Sequence, residues 1–76
     1  MNQSIFNEEY FKHRIGREMV LVIEEKILQS NVEKTVEKGK KGTIGAAFPE
    51  YVRLKCILSV HDIPYNKIVR TKEILF

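Results

Sequence analysis

The sequence predicts a single small domain, mostly β, with a short α-helix at its N-terminus. Three observations carry this expectation. Met19-Val20-Leu21-Val22-Ile23 is an unbroken apolar run rich in β-branched side chains, the pattern of a strand buried on both faces. Val52 to Leu58 alternates apolar residues with the basic Arg53 and Lys55, the pattern of a half-buried strand. Between them, Gly39 and Gly42 bracket Lys40 and Lys41, which reads as a tight turn feeding a strand.

Asn7 to Ile15 reads as a helix. Asn7 is a suitable N-cap, and Glu8 and Glu9 match the positive end of the helix dipole. Phe6, Tyr10, Phe11 and Ile15 recur at helical spacing, and Gly16 supplies a stop. A helix this short does not persist alone, so it must dock on the sheet. The first strand follows in Glu18 to Leu28. Gln29 to Glu37 is polar without a period and reads as a long loop closed by the glycine pair. Residues 43–58 read as a β-hairpin about Pro49, with Val52, Leu54, Cys56 and Leu58 facing inward and Arg53 and Lys55 outward. In its first strand Thr43, Gly45 and Ala47 form a small face, as if another backbone passes close by. Ser59 to Pro64 reads as a loop, Tyr65 to Val69 as a short strand and Arg70 to Glu73 as a single tight turn. Ile74-Leu75-Phe76 is apolar and is expected in the core or paired in the sheet.

The chain has 76 residues, one domain's worth. A domain of this size buries only about 60% of its unfolded surface, so there is little room for an enclosed active site. This favours a binding module over an enzyme. The single cysteine, Cys56, excludes an internal disulfide and any multi-thiolate zinc site. Without staples, the expected location is cytoplasmic. No stretch approaches the ~20 apolar residues of a membrane span, and the N-terminus lacks the pattern of a secretory signal. The net charge of +3 is unevenly placed. Residues 1–38 hold six basic and seven acidic side chains, residues 39–76 seven basic and three acidic, so the second half is the candidate electropositive surface.

The order of a buried strand, a loop, Gly39-Lys40-Lys41-Gly42-Thr43-Ile44, a hairpin, a short strand, a tight turn and a last strand suggests a small barrel. It resembles the SH3-like barrel, of the KOW-like type. The resemblance rests on the glycine-lysine motif, the Met19 to Ile23 strand and Ile68 through Leu75, and it covers roughly residues 17–76, with residues 1–16 as an added helix. It implies that Arg70 to Glu73 is a 3₁₀ turn before the last strand, and that the barrel binds RNA or protein. The loop at 29–38 is longer than a compact unit of this type needs. In size and composition the chain is also similar to small proteins encoded by bacteriophages and prophages.

Candidate chemistry is sparse. Gly39-Lys40-Lys41-Gly42 lacks the four-residue spacing and the following Lys-Ser/Thr of a phosphate-binding P-loop, so a turn into a strand is the better reading. Cys56 and the pair His61-Asp62 lie close in sequence, but a cysteine on an inward face behaves as a small hydrophobe. His13, His61 and Asp62 lack ligand spacing, and Glu24 and Glu25, as strand neighbours, point to opposite faces. No cofactor, metal or catalytic group is expected.

The expected function is therefore a non-enzymatic binding module. The first reading is a protein-interaction adaptor or inhibitor of phage type, with Phe48, Tyr51 and Tyr65 as aromatic anchors. The second is an RNA- or DNA-binding module using Lys38, Lys40, Lys41, Arg53 and Lys55, with Glu33, Glu37 and Glu50 diluting the field. Lysines that guard an edge strand explain the same charges. The third is a homo-oligomer joined through a strand edge near Ile74 to Phe76. No membrane partner is expected.

Overall fold

Asn7 starts the helix as its sequence suggests. Its side-chain oxygen accepts from the Tyr10 N–H at 2.9 Å, and α1 spans Glu8–Lys12. The helix is shorter than the spacing implied, and Ile15 lies beyond it, half exposed. Gly16 adopts φ +89°, a region L side chains resist, and turns the chain into the sheet. Its N–H donates to the Ile44 carbonyl at 2.8 Å, and Ile44 N–H donates to the Arg17 carbonyl at 3.0 Å.

The computed structural model describes residues 5–74. After α1 come β1 (Glu18–Gln29), β2 (Val32–Ala47), β3 (Tyr51–Lys55), β4 (Val60–Pro64), a 3₁₀ turn (Tyr65–Lys67) and β5 (Ile68–Glu73). They form one five-stranded antiparallel sheet in the order β4-β3-β2-β1-β5. The expected mostly-β class with one short helix holds.

Several local expectations are corrected. Residues 29–38 are not a loop: β1 and β2 pair in unbroken register from Glu18↔Thr43 to Gln29↔Val32. Ser30 and Asn31, at φ 53° and 62°, are the two central residues of their connection, and such positive angles match the right-handed twist of a hairpin. Gly39-Lys40-Lys41-Gly42 is strand, not turn. Ser59 to Pro64 is largely strand β4. The 3₁₀ turn lies at Tyr65–Lys67, and Arg70 to Glu73 belongs to β5, which pairs with β1. The expectation for Ile74-Leu75-Phe76 is testable only at Ile74, whose N–H donates to the Glu18 carbonyl at 3.0 Å; Leu75 and Phe76 lie outside the described residues.

Side chains of one sheet face form the core. Met19, Leu21 and Ile23 alternate inward along β1, with Ile44 from β2 and Val52 and Leu54 from β3 beside them. α1 covers this inner face, and Phe11 is its fully buried anchor. The Phe11 ring stacks on Tyr65 at a centroid distance of 5.7 Å and meets Tyr10 edge-on at 4.9 Å. The helix and the segment that follows it are tied to β5 by polar contacts. Tyr10 Oη lies 2.7 Å from Thr71 Oγ1, while Arg14 Nε and Arg17 Nη1 lie 3.2 and 3.0 Å from Glu73 Oε1.

Tyr65 illustrates a polar handle on a core ring. Its hydroxyl donates to the Phe48 carbonyl at 2.6 Å, and burial pushes its ionisation above the ordinary tyrosine value. The unfolded chain ionises this phenol near pH ~10, whereas the folded protein holds the proton longer. Its contribution to stability is therefore full below that pH and is lost as pH rises through the folded value. Tyr65→Phe is expected to cost about 1 kcal/mol at neutral pH through the lost hydrogen bond. That deficit should shrink or reverse above pH ~10, read from urea midpoints of parent and variant at both pH values.

Candidate protein-interaction site

The inner face of the sheet is covered where α1 and the core lie, the distal β1–β2 ribbon is exposed on both faces, and the outer face is open to solvent. Strand alternation decides which charges lie where. On β2, Lys41 and Gly39 share the outer face with Thr43, whereas Lys38 and Lys40 stand on the same side as buried Ile44. The five expected nucleic-acid-binding residues are thus divided. Lys41, Arg53 and Lys55 are brought together on the outer face, and Lys38 and Lys40 lie on the other. Arg70 and Lys72, opposite Val22 and Val20, join the outer group and were missed because their segment reads as a turn.

Three of these seven cations are already paired. Arg53 makes a bidentate contact with Asp62 at 3.0 and 3.3 Å and lies over the Phe48 ring at 5.1 Å. Arg70 is 2.8 Å from Glu37, and Lys38 is 3.2 Å from Glu25. Lys41, Lys55 and Lys72 make no ion pair among the described residues.

The expected aromatic anchors separate in the same way. Phe48 and Tyr51 stack at 4.7 Å on the β2–β3 connection and are half-buried. Tyr65 is a correction: only 7% exposed, it belongs to the core and its ring cannot anchor a partner. The sequence signal misleads here because Tyr65 follows Pro64 in a polar stretch, while the docked helix that covers it comes from the other end of the chain.

A different surface emerges at the β3–β4 connection. Cys56 N–H donates to the Ser59 carbonyl at 2.8 Å, so Ile57 and Leu58 are the two central residues of a tight turn. Their exposures are 100% and 96%, and Val60 beside them is 56% exposed. This corrects the inward placement expected for Leu58: alternation breaks at the turn. Neither residue takes a positive φ, so the turn does not require the Gly or Asn of a primed hairpin. Both aliphatics are nonetheless outside the core, and an apolar pair where turns favour small polar residues is the signal in the sequence that could have located the surface. Between the turn and the outer face lies an open cleft of about 810 Å³, lined by Glu18, Lys41, Gly42, Thr43, Lys55, Cys56, Ile57 and Leu58.

Histidine and cysteine chemistry does not converge. His61 Nε2 lies 2.9 Å from Ser59 Oγ, and His13 Nε2 lies 2.9 Å from Glu9 Oε1. Cys56 is a free, half-buried thiol. No cluster of three metal-ligating side chains occurs among the described residues, and none of their helices is long and apolar enough to cross a membrane. No protein-family model matches the chain, and no curated protein or solved structure matches it.

Proposed function

We propose that this chain is a non-enzymatic protein-interaction module whose contact surface is centred on Ile57 and Leu58. The observation that carries the reading is the full exposure of both side chains on a tight turn, beside a cleft flanked by Lys41 and Lys55, which make no ion pair among the described residues. Burying each aliphatic against a partner is worth about 1.5–3 kcal/mol. Surface of this kind, large, apolar and rimmed by charge, is the usual form of an interaction site. The SH3-like resemblance belongs to the same proposal. It is supported by the meander of β1 to β4 with β5 returning beside β1, and by the 3₁₀ turn that precedes β5.

The test is capture from a cell lysate, with and without nuclease, using the parent chain and Leu58→Glu. A protein retained after nuclease and at raised salt, and lost with Leu58→Glu by a factor of about ten or more, is the expected result. Retention that vanishes on nuclease treatment, or that ignores Leu58→Glu, contradicts it.

A second reading has its own observation: Lys41, Lys55 and Lys72 share the outer face without carboxylate partners among the described residues. RNA or DNA tracked by these three would lose affinity steeply with salt, and Lys41→Glu with Lys55→Glu would abolish binding. The third reading, oligomerisation through an edge, meets defended edges. β4 ends at Pro64, and β5 carries Arg70, Lys72 and Glu73.

A further inference from the structure

β2 is much longer than β3, and the difference leaves an open lane. β3 pairs with β2 only from Thr43 to Ala47, whereas β2 begins at Val32. The direction of the backbone groups along the overhang follows from one residue. Ile44 donates its N–H to Arg17 and accepts at its carbonyl from Gly16, so it faces β1. The β1–β2 register is unbroken, and a residue's N–H and C=O alternate sides along a strand. Gly42, Lys40, Lys38, Val36 and Lys34 therefore face β1 as well. Lys41, Gly39, Glu37, Thr35 and Glu33 point their N–H and C=O away from it, toward a side where no strand lies among the described residues.

We propose that this edge is a strand-addition site for an extended acidic segment of a partner protein. The proposal rests on the protein-interaction reading above and specifies its mode. An added strand would occupy the lane that β3 leaves at Cys56, collinear with it, with its end against Ile57 and Leu58. The lane from Glu33 to Lys41 is roughly 30 Å long at the rise of a strand. Main-chain bonds to the five outward residues supply affinity, and alternate side chains supply selectivity. On the inner face the flanking β2 residues are Lys34, Val36, Lys38 and Lys40. Among the described residues Lys38 has a carboxylate partner, Glu25, and Lys34 and Lys40 have none. Lysines on an exposed edge repel another lysine-bearing edge but attract a strand with carboxylates at alternate positions. A second copy of β2 is a poor occupant for that reason. Pairing two such edges in antiparallel register about Gly39 sets Lys38 against Lys40 of the other copy, with only Glu37 against Lys41 to offset it, and pairing about Glu37 sets the two glutamates together and Lys34 against Lys40.

The probe is an alternating Glu-Val peptide of about ten residues, compared with its Lys-Val counterpart and with a version N-methylated along one edge. Residue-resolved amide exchange is the readout. The Glu-Val peptide should slow exchange of the Glu33, Thr35, Glu37, Gly39 and Lys41 amides by about tenfold or more, with binding weakened by salt. Neither control peptide should do so. Equal binding of either control, or binding without protection of these five amides, overturns the proposal. So does protection that rises with protein concentration alone alongside a doubled sedimentation mass, or protection produced only by a single-stranded oligonucleotide. Failure here with Leu58-dependent protein capture intact removes the strand-addition mode and leaves the interaction reading standing; failure of both removes the reading itself.

Discussion

Phe11→Ala is expected to destabilise the protein by about 3–5 kcal/mol, the cost of emptying a fully buried aromatic site. The ring is wholly enclosed between Tyr10, Tyr65 and the sheet. A chain of this length has a total stability of only about 4–11 kcal/mol, so the variant should be largely unfolded or melt far earlier. The helix cannot compensate, because five residues of helix have no stability of their own. Ile15→Ala is the matched control. Ile15 lies outside the helix at 51% exposure, and its loss should shift the urea midpoint little. Equal effects for the two variants would mean that the helix does not close the core.

Gly42→Ala is the second large effect. A Cβ built at Gly42 would lie 2.5 Å from the Lys55 carbonyl oxygen and 2.9 Å from Leu54 Cγ. The obstacle is backbone of the neighbouring strand, so relief requires β2 and β3 to move apart. A destabilisation of about 1–3 kcal/mol or more follows. Gly39→Ala offers a contrast within the same short motif. Its added Cβ would meet only Val20 Cγ1, at 3.3 Å, which a small side-chain adjustment relieves. Replacing a strand glycine also removes unfolded-state entropy, worth about 0.4–1 kcal/mol. Gly39→Ala should therefore be near neutral or mildly stabilising. Denaturant midpoints of the two variants should differ clearly, and equal midpoints would contradict the close approach of β3 at Gly42.

The contrast shows what the sequence could and could not convey. Both glycines look alike in Gly39-Lys40-Lys41-Gly42, and together they read as a turn. Their difference comes from β3, which stops beside Gly42 and never reaches Gly39. The small Thr43, Gly45 and Ala47 face suggests a close backbone approach there, and the structure corrects this. Gly45 in fact faces the Lys55 side chain, and the backbone passes at Gly42.

Where one face of an element is buried, its pattern was legible. Asn7 marks the helix start, and the Val52-Leu54 alternation records burial on one side. The unbroken Met19 to Ile23 run marks a strand but implies burial on both faces, whereas Val20 and Val22 are only half-buried. The distal β1–β2 ribbon has no such record. Its side chains from Leu28 to Thr35 are exposed on both faces, so no alternation marks the strands. The turn is Ser30-Asn31, without the glycine that usually announces a hairpin. Arg70 to Glu73 is strand only because β1 pairs with it across the whole length of the chain, a partner that local pattern cannot reveal.

The candidate site was legible in pieces. The outer lysines were found as residue types, but their division between two faces needed the register. Ile57 and Leu58 were absorbed into an alternating run that the backbone abandons at Cys56. An apolar pair at a turn looks like the end of a strand until the turn is located.

The central claim is that β2 runs well past β3 and leaves one backbone edge open while the other is bonded to β1. Residue-resolved amide exchange on the free protein at low concentration tests this most directly. The amides of Lys34, Val36, Lys38 and Lys40 should exchange slowly, and those of Glu33, Thr35, Glu37, Gly39 and Lys41 rapidly, in strict alternation along the strand. Uniformly fast exchange from residue 33 to residue 41, or equal protection of both sets in a monomer, would contradict it.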